Sequence, residues 1–164
     1  MYAAGADARK ASIRRIARSL REVRNVASMT AVSVRQLHAG DERVVAQLAD
    51  REPQTALLAH DRTVFVAAFA GEEPVGLAFG YLLPRRRGDA EMLFVYEVDV
   101  DEQYRRQGVA TRMLSELERV ARARGVREGF VLTDADNDPA RGLYSSLGGE
   151  PLDVVQYEFR YPGP

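Results

Sequence analysis

Hydrophobic residues follow two periods along this chain, and each period predicts a kind of element. Short apolar runs and period-two alternation predict strands over residues 31–37, 63–70, 75–83 and 92–100. Residues 71–74, Gly-Glu-Glu-Pro, predict a hairpin between the second and third strands. Helical spacing follows the fourth strand and predicts a long amphipathic helix that ends at Arg124-Gly125. Its apolar face would consist of Val109, Met113, Leu114, Leu117, Val120 and Ala121.

The remaining predicted elements are shorter. Residues 41–50 predict a helix with Asp41 as N-cap, and residues 51–62 predict an irregular connection with room for a short second helix. Residues 130–133 predict a buried strand, and Asp138-Pro139 predicts the start of a helix with Asp138 as N-cap. Residues 152–161 alternate and predict a terminal strand. This order predicts a mixed α/β (α+β) sheet with helices around it.

Residues 1–28 differ from the rest of the chain. They carry a net charge of +5 in a chain whose total is −1, which leaves −6 on the remainder. Residues 29–164 are therefore interpreted as one domain, and residues 1–28 as a basic N-terminal extension or packing helix. A basic surface-binding arm and an organellar transit peptide are the alternatives, because the segment is rich in arginine and poor in acids.

Composition restricts the classes of function. The chain has no cysteine and only two histidines, so neither disulfides nor a metal site is expected. The absence of cysteine agrees with a cytoplasmic location, which is the expected one. No apolar run approaches the roughly 20 residues that span a bilayer, so no membrane partner is expected. A moderately acidic body predicts a cationic small-molecule partner rather than nucleic acid.

The turn between the fourth strand and the long helix predicts a phosphate site. The first amides of a helix lack internal acceptors, and the helix dipole, Arg105 and Arg106 add positive potential at the same place. Gly108 would let a ligand approach the backbone closely. The chain contains neither the G-x-x-x-x-G-K-[ST] pattern of P-loops nor the G-x-G-x-x-G pattern of dinucleotide folds.

Two segments resemble the motifs of a known superfamily. Arg105-x-x-Gly108-x-Ala110 resembles the acetyl-CoA-binding motif of the GNAT acyltransferases. A second segment, Asn137-x-x-Ala140-x-x-Leu143-Tyr144-x-x-Leu147-Gly148, is similar to their later N-x-x-A-x-x-L-Y-x-x-L-G pattern. The resemblance implies the GNAT fold, a mostly antiparallel sheet that is splayed at the acetyl-CoA site. It also implies acetyl-CoA as co-substrate, no metal, and a homodimer.

A narrower resemblance concerns the acceptor. Residues 64–69, 80–84, 104–111 and 134–140 are similar to the aminoglycoside 3-N-acetyltransferases, although Tyr104 replaces the usual His and Glu97 the usual Asp. This resemblance implies acetyl transfer to the 3-amine of an aminoglycoside and hence antibiotic resistance.

The resemblance also implies roles for individual residues. The residues expected to bind acetyl-CoA are Val98, Val100, Arg105, Arg106, Gln107, Gly108, Val109, Ala110, Thr111, Asn137 and Tyr144. Val98 and Val100 would contribute main chain to a pseudo-strand formed by the pantetheine arm, and Tyr144 would protonate the leaving thiolate.

Glu97 stands out as a carboxylate on a mostly apolar strand, and is the expected general base and ammonium receptor, directly or through water. Asp99, which alternation places on the same face, is expected to bind substrate or to pair with an arginine. Asp134 and Asp136 would extend the negative rim. Two alternatives remain at this point: acetylation of a polyamine, amino acid or protein N-terminus, and a non-catalytic acyl-CoA-binding module.

Overall fold

A computed structural model describes residues 31–49, 52–86, 91–161 and 163. The extension expected over residues 1–28 lies outside this part of the chain. No helix in the described part is both long and apolar enough to cross a membrane.

The described strands form one sheet in the order β1-β2-β3-β4-β5. Neighbours pair antiparallel from β1 to β4, and β5 joins β4 in parallel. This confirms the predicted mixed, mostly antiparallel sheet. The strands are β1 Val32–Leu37, β2 Thr63–Ala70, β3 Glu73–Pro84, β4 Glu91–Val100 and β5 Gly129–Val131.

Helices cover both faces of the sheet. The α-helices are α1 Glu42–Leu48, α2 Val109–Ala123 and α3 Asp138–Ser146, with short 3-10 helices at Thr55–Ala59 and Glu102–Tyr104. One apolar cluster joins α2 to the sheet, and all six residues of the predicted α2 face are buried in it. A second cluster, built around Phe65 and Phe79, takes in residues of α1 and of Thr55–Ala59 on the other face. The long helix and the short second helix are thus confirmed.

A β-bulge interrupts the pairing of β3 with β4. Phe79 pairs with Glu97, whereas the next residue of β3, Gly80, pairs with Val95. Tyr96 is therefore an extra residue on β4, and the strand bends at this point. The bulge lies midway along β4, where the functional residues were predicted.

Two predicted helix caps differ in the structure. Asn137, not Asp138, caps α3, because the Asn137 side chain accepts from the backbone N–H of Ala140 at 3.2 Å. Asp41 occupies the N-cap position of α1, but its side chain makes no cap hydrogen bond. Its carboxylate instead pairs with Arg35 at 2.7 Å, which lowers the pKa of Asp41.

The prediction of a buried strand over residues 130–133 is wrong in burial and length. β5 has three residues and lies at the edge of the described sheet, so Phe130 and Leu132 remain 39% and 49% exposed. The terminal strand expected over residues 152–161 is also wrong, because these residues pair with no described strand. Alternation alone does not make a strand, because a strand also needs a neighbour to pair with. The three residues of β5 are too few to pair stably with a terminal strand.

Candidate active site

β4 has an open edge beyond its bulge. Its pairing with β5 joins Leu93–Val95 to Gly129–Val131 and stops there, although β4 continues to Val100. Within the described residues, β4 therefore has a neighbour on only one side from Tyr96 onward. The open edge leaves room for an extended ligand that would pair with the strand.

The open edge leads to the predicted phosphate-binding turn. Arg106 has φ 61° and Gly108 has φ 73°, two left-handed residues only two positions apart. Such turns direct successive backbone N–H groups to one side and create an anion-binding concavity. α2 begins at Val109, and the backbone N–H of Arg112 donates to Gly108 O at 3.1 Å. The backbone N–H groups of Val109 to Thr111 lie in the first turn and therefore have no acceptor within the helix.

Arg105 connects this turn to the end of β4. Its Nε donates to Val100 O at 2.8 Å, and its Nη2 lies 3.4 Å from Asp99 Oδ1. The same Asp99 oxygen accepts from the backbone N–H of Val100 at 2.9 Å. Arg105 and Asp99 therefore brace the turn, and the arginine partner that the sequence offered as one alternative for Asp99 is present.

A cavity of about 480 Å³ lies beside the open edge of β4. It brings together residues of β4, of the loop after β5, of α3 and of the C-terminal tail. Its lining consists of Val95, Tyr96, Glu97, Val98, Val131, Leu132, Thr133, Asp134, Asn137, Ala140, Tyr144 and Gln156. Five predicted site residues thus share one cavity: Glu97, Val98, Asp134, Asn137 and Tyr144.

The other predicted residues lie outside that cavity lining. Asp99 and Asp136 do not contribute to it, and Val100 is buried in the core below the end of β4. The predicted residues from Arg105 to Thr111 form the separate basic turn described above. The geometry therefore has two parts, a cavity and an anion-binding turn, joined by the open edge of β4.

Tyr144 and Glu97 line the cavity from different elements. Glu97 projects from β4, and Tyr144 from the last turns of α3. Tyr144 is partly buried against the core, and this burial raises the pKa of its phenol. Its hydroxyl therefore stays protonated to higher pH than that of an ordinary tyrosine, and below that pH it carries a proton that it can donate.

Seven residues of the lining were not among the predicted site residues, and Tyr96 and Gln156 are two of those whose polar side chains could contact a ligand. Strict alternation puts Tyr96 on the opposite face from Glu97, and a bulge leaves no clear signal in a single sequence. Gln156 was predicted within a terminal strand, and its polar side chain among apolar neighbours was the only available signal. In the described part of the chain, no group of three acidic or histidine residues is placed to hold a metal ion.

Arg106→Gly tests the geometry of the turn through stability and binding at once. Left-handed backbone costs a non-glycine residue about 1–2 kcal/mol, and part of this is offset by the greater freedom of glycine in the unfolded chain. We expect the free energy of unfolding in urea to be unchanged or higher by about 1 kcal/mol. Affinity for coenzyme A should fall several-fold, and less so at high salt. A clear loss of stability would contradict the turn geometry.

The sequence profile of the acetyltransferase (GNAT) family matches residues 31–148, which is most of the chain. The chain belongs to this family. The match includes β1 to β5, the basic turn, α3 and the two residues after it, so it contains both motifs on which the sequence resemblance rests. The first thirty residues lie outside it.

Solved structures with the same fold include several acetyltransferases. An aminoglycoside acetyltransferase from an uncultured soil metagenomic sample, in complex with sisomicin, is 19% identical with a TM-score of 0.74, over 80% of this chain and 97% of that chain. Another from an uncultured soil metagenomic sample is 26% identical with a TM-score of 0.71, over 80% and 99%. A ribosomal-protein-alanine N-acetyltransferase from Brucella melitensis is 21% identical with a TM-score of 0.65, over 80% and 100%. This GNAT protein therefore shares its fold with enzymes of different acceptors.

Proposed function

We propose that this GNAT protein is an acetyl-CoA-dependent N-acetyltransferase that acts on an aminoglycoside amine. The observation that carries the proposal is a carboxylate, Glu97, and a phenol of raised pKa, Tyr144, in one cavity beside an open strand edge. That edge leads to a basic turn suited to a diphosphate. Such an arrangement would supply a proton acceptor and a proton donor to a thioester bound in the cavity.

The residues present fit acetyl-CoA as co-substrate. The amides from Arg106 to Thr111 would hold its pyrophosphate, and the outward backbone groups of Val98 would pair with the pantetheine arm. Val100 would join this pairing only by releasing the hydrogen bonds of its N–H to Asp99 and of its carbonyl to Arg105. A Cβ built on Gly108 has no protein atom within 4 Å, so the space above this glycine is open to a ligand. Asn137 Oδ1 caps α3, which leaves its amide nitrogen as the group proposed to bind the arm.

The proposed chemistry is direct transfer between two substrates. Acetyl-CoA supplies an activated acetyl group; a C–N bond to the acceptor nitrogen forms and the C–S bond breaks. Glu97 would take the proton that the amine loses, directly or through one water, and Tyr144 would give a proton to the departing sulfur. General acid–base assistance of this kind is worth about 10²–10⁴ in rate.

The acceptor class is inferred from charge and from neighbours. Glu97 and Asp134 give the cavity two carboxylates, which favour a cationic amine. Asp99 and Asp136 are proposed as outer parts of the same acidic rim. One structural neighbour is complexed with sisomicin, and another, AAC(6')-Iy, with the bisubstrate analog CoA-S-monomethyl-acetylneamine (20% identity, TM-score 0.67, covering 80% of this chain and 99% of that chain). The sequence resemblance favours the 3-amine as the position acetylated.

A thiol-release assay with acetyl-CoA and a panel of amines tests the proposal. We expect turnover with sisomicin or neamine and little with spermidine or an alanine-terminated peptide. Product analysis by NMR then identifies the acetylated nitrogen, and acetylation at the 6'-amine would replace the 3-N assignment. Turnover only with peptides would contradict the acceptor class. Tight CoA binding without turnover on any amine would indicate a binding module.

Three further expectations depend on this activity or on the resemblance. Expression in a susceptible bacterium should raise the inhibitory concentration of the aminoglycoside that is acetylated. Fractionation of the native host should recover the protein with the cytoplasm. Light scattering at micromolar concentration should show a homodimer, and a monomer would contradict that expectation.

Tyr144→Phe is expected to lower kcat by about 10²-fold, because the ring remains while the proton donor is lost. Burial raises the Tyr144 pKa above its usual value near 10, so the wild-type rate should persist above pH 10 and then decline as the phenol ionises. Since the raised pKa favours the neutral phenol, its contribution to folding is complete below pH 10 and is lost above it. A pH–rate profile checks this, and the alkaline decline should be absent in the variant.

A further inference from the structure

Tyr96 lies in the bulge of β4, and its ring is on the same face of the sheet as Glu97. Glu97 pairs directly with Phe79, and directly opposite residues of antiparallel strands project to one face. The ring of Tyr96 also lies 5.8 Å from the ring of Phe79. The extra residue therefore places an aromatic ring beside the proposed general base, and both line the cavity.

Three other aromatic rings hold Tyr96 in place. Tyr81 and Phe94 contact it nearly edge-to-face, at centroid distances of 5.4 Å and 5.7 Å and interplanar angles of 86° and 83°. Phe79 makes a similar contact, and Phe94 is itself stacked on Phe130 at 4.7 Å. Edge-to-face pairs of this kind are favourable beyond the area they bury. The ring of Tyr96 is thus held by its neighbours while 59% of the residue stays exposed.

A held aromatic ring beside a carboxylate selects for a particular shape of amine. A saturated ring presents a flat set of C–H groups that can pack on an aromatic face, and a cation close to that face is attracted by the ring quadrupole. The held ring of Tyr96 and the saturated ring of the amine are both rigid before they meet, so this contact costs little conformational entropy. A flexible linear amine loses rotamer freedom at each bond that it lays on the ring.

We infer that Tyr96 is a specificity-determining residue that packs against a saturated ring bearing the acceptor amine, and so favours ring-bound amines over linear ones. The inference rests on the proposed function, which supplies the aminoglycoside acceptor. It adds the residue that selects for the ring of that acceptor. Glu97 can accept a proton from any amine that reaches it, whereas Tyr96 distinguishes an amine on a ring from an amine on a linear chain.

Equilibrium binding to the CoA-saturated protein tests this without requiring turnover. Calorimetry would compare neamine, a ring amine, with spermidine, a linear one, in the wild type, Tyr96→Phe, Tyr96→Leu and Tyr96→Ala. We expect Tyr96→Leu and Tyr96→Ala to weaken neamine binding about tenfold, with spermidine changed by less than about twofold. Tyr96→Phe keeps the ring and should bind neamine as the wild type does.

Two controls separate recognition from folding. CoA affinity should be the same in all variants, and Tyr96→Leu keeps an apolar side chain in the bulge if Tyr96→Ala fails to fold. Tyr161→Ala removes a tyrosine that is 84% exposed and outside the cavity lining, so the affinities for neamine and spermidine should both stay unchanged.

The outcomes distinguish this inference from the proposed function. Neamine binding that is unchanged in Tyr96→Leu, equal weakening of both amines, or a wild type that does not bind neamine would each overturn the role of Tyr96. Neamine binding that depends on the Tyr96 ring, without acetylation of neamine, would overturn the proposed transfer reaction and support the role of Tyr96.

Discussion

Glu97→Gln is expected to lower kcat for an aminoglycoside acceptor by about 10²–10⁴, with little change in CoA affinity. The substitution keeps the shape and the hydrogen-bonding reach of the side chain but removes the group that takes the proton. Glu97 lines the cavity from the bulged strand, whereas Tyr144 lines it from α3. The two proposed proton transfers therefore occur at separate groups. Stopped assays of thiol release at saturating acetyl-CoA measure the effect.

The pH dependence and a matched variant make this prediction specific. If Glu97 is the base, raising the pH should partly restore the rate of the variant, since more of the amine is then already deprotonated. Glu118→Gln makes the same chemical change on the exposed side of α2, where Glu118 pairs with Arg122, and should leave kcat unchanged. A normal kcat in Glu97→Gln, with only a raised KM for the amine, would reduce Glu97 to a binding residue.

Gly108→Val should weaken coenzyme A binding by about 10²-fold or more, because a branched side chain would fill the space through which a phosphate reaches the backbone amides. No protein atom lies within 4 Å of a Cβ built at this position, so the side chain would not clash with the fold. The backbone of Gly108 has φ 73°, and holding valine there should lower the free energy of unfolding by about 1–3 kcal/mol. Calorimetry and urea denaturation measure the two effects separately.

Gly125→Val provides the matched control. Gly125 follows the other end of the same helix, has φ 87°, and also has no protein atom within 4 Å of a built Cβ. The two variants should therefore lose similar stability, whereas only Gly108→Val should lose coenzyme affinity. Equal affinity in both would show that the coenzyme does not bind at this turn.

The layout of the chain was accessible from the sequence because it depends on periodicity. The apolar face of α2 was predicted residue by residue, and β2, β3 and β4 were placed within a few residues of their observed limits. The basic turn was predicted from the glycine, the arginines and the known lack of acceptors at a helix start. These features are local, so a pattern in a short window is enough to predict them.

Features that depend on competition between partners could not be predicted from the same patterns. Asp41 was expected to cap α1, but a bidentate pair with Arg35 and the N–H of His38 takes its carboxylate. Asn137 caps α3 in place of its neighbour Asp138, since both residue types suit that position equally well. The bulge at Tyr96 depends on which residues of β3 and β4 face each other, and register is a property of two strands together.

The bulge gives the two halves of β4 different freedom to vary. Leu93–Val95, just before it, pair with strands on both sides, whereas the residues after it have β3 alone within the described chain. Substitutions in the second half can therefore alter acceptor preference while the first half preserves the sheet. Adding or deleting a residue in the second half, without a further bulge to absorb the change, would instead turn every later side chain of the strand to the opposite face. New acceptor preferences should thus evolve on this scaffold by exchange of side chains, with the length of the strand conserved.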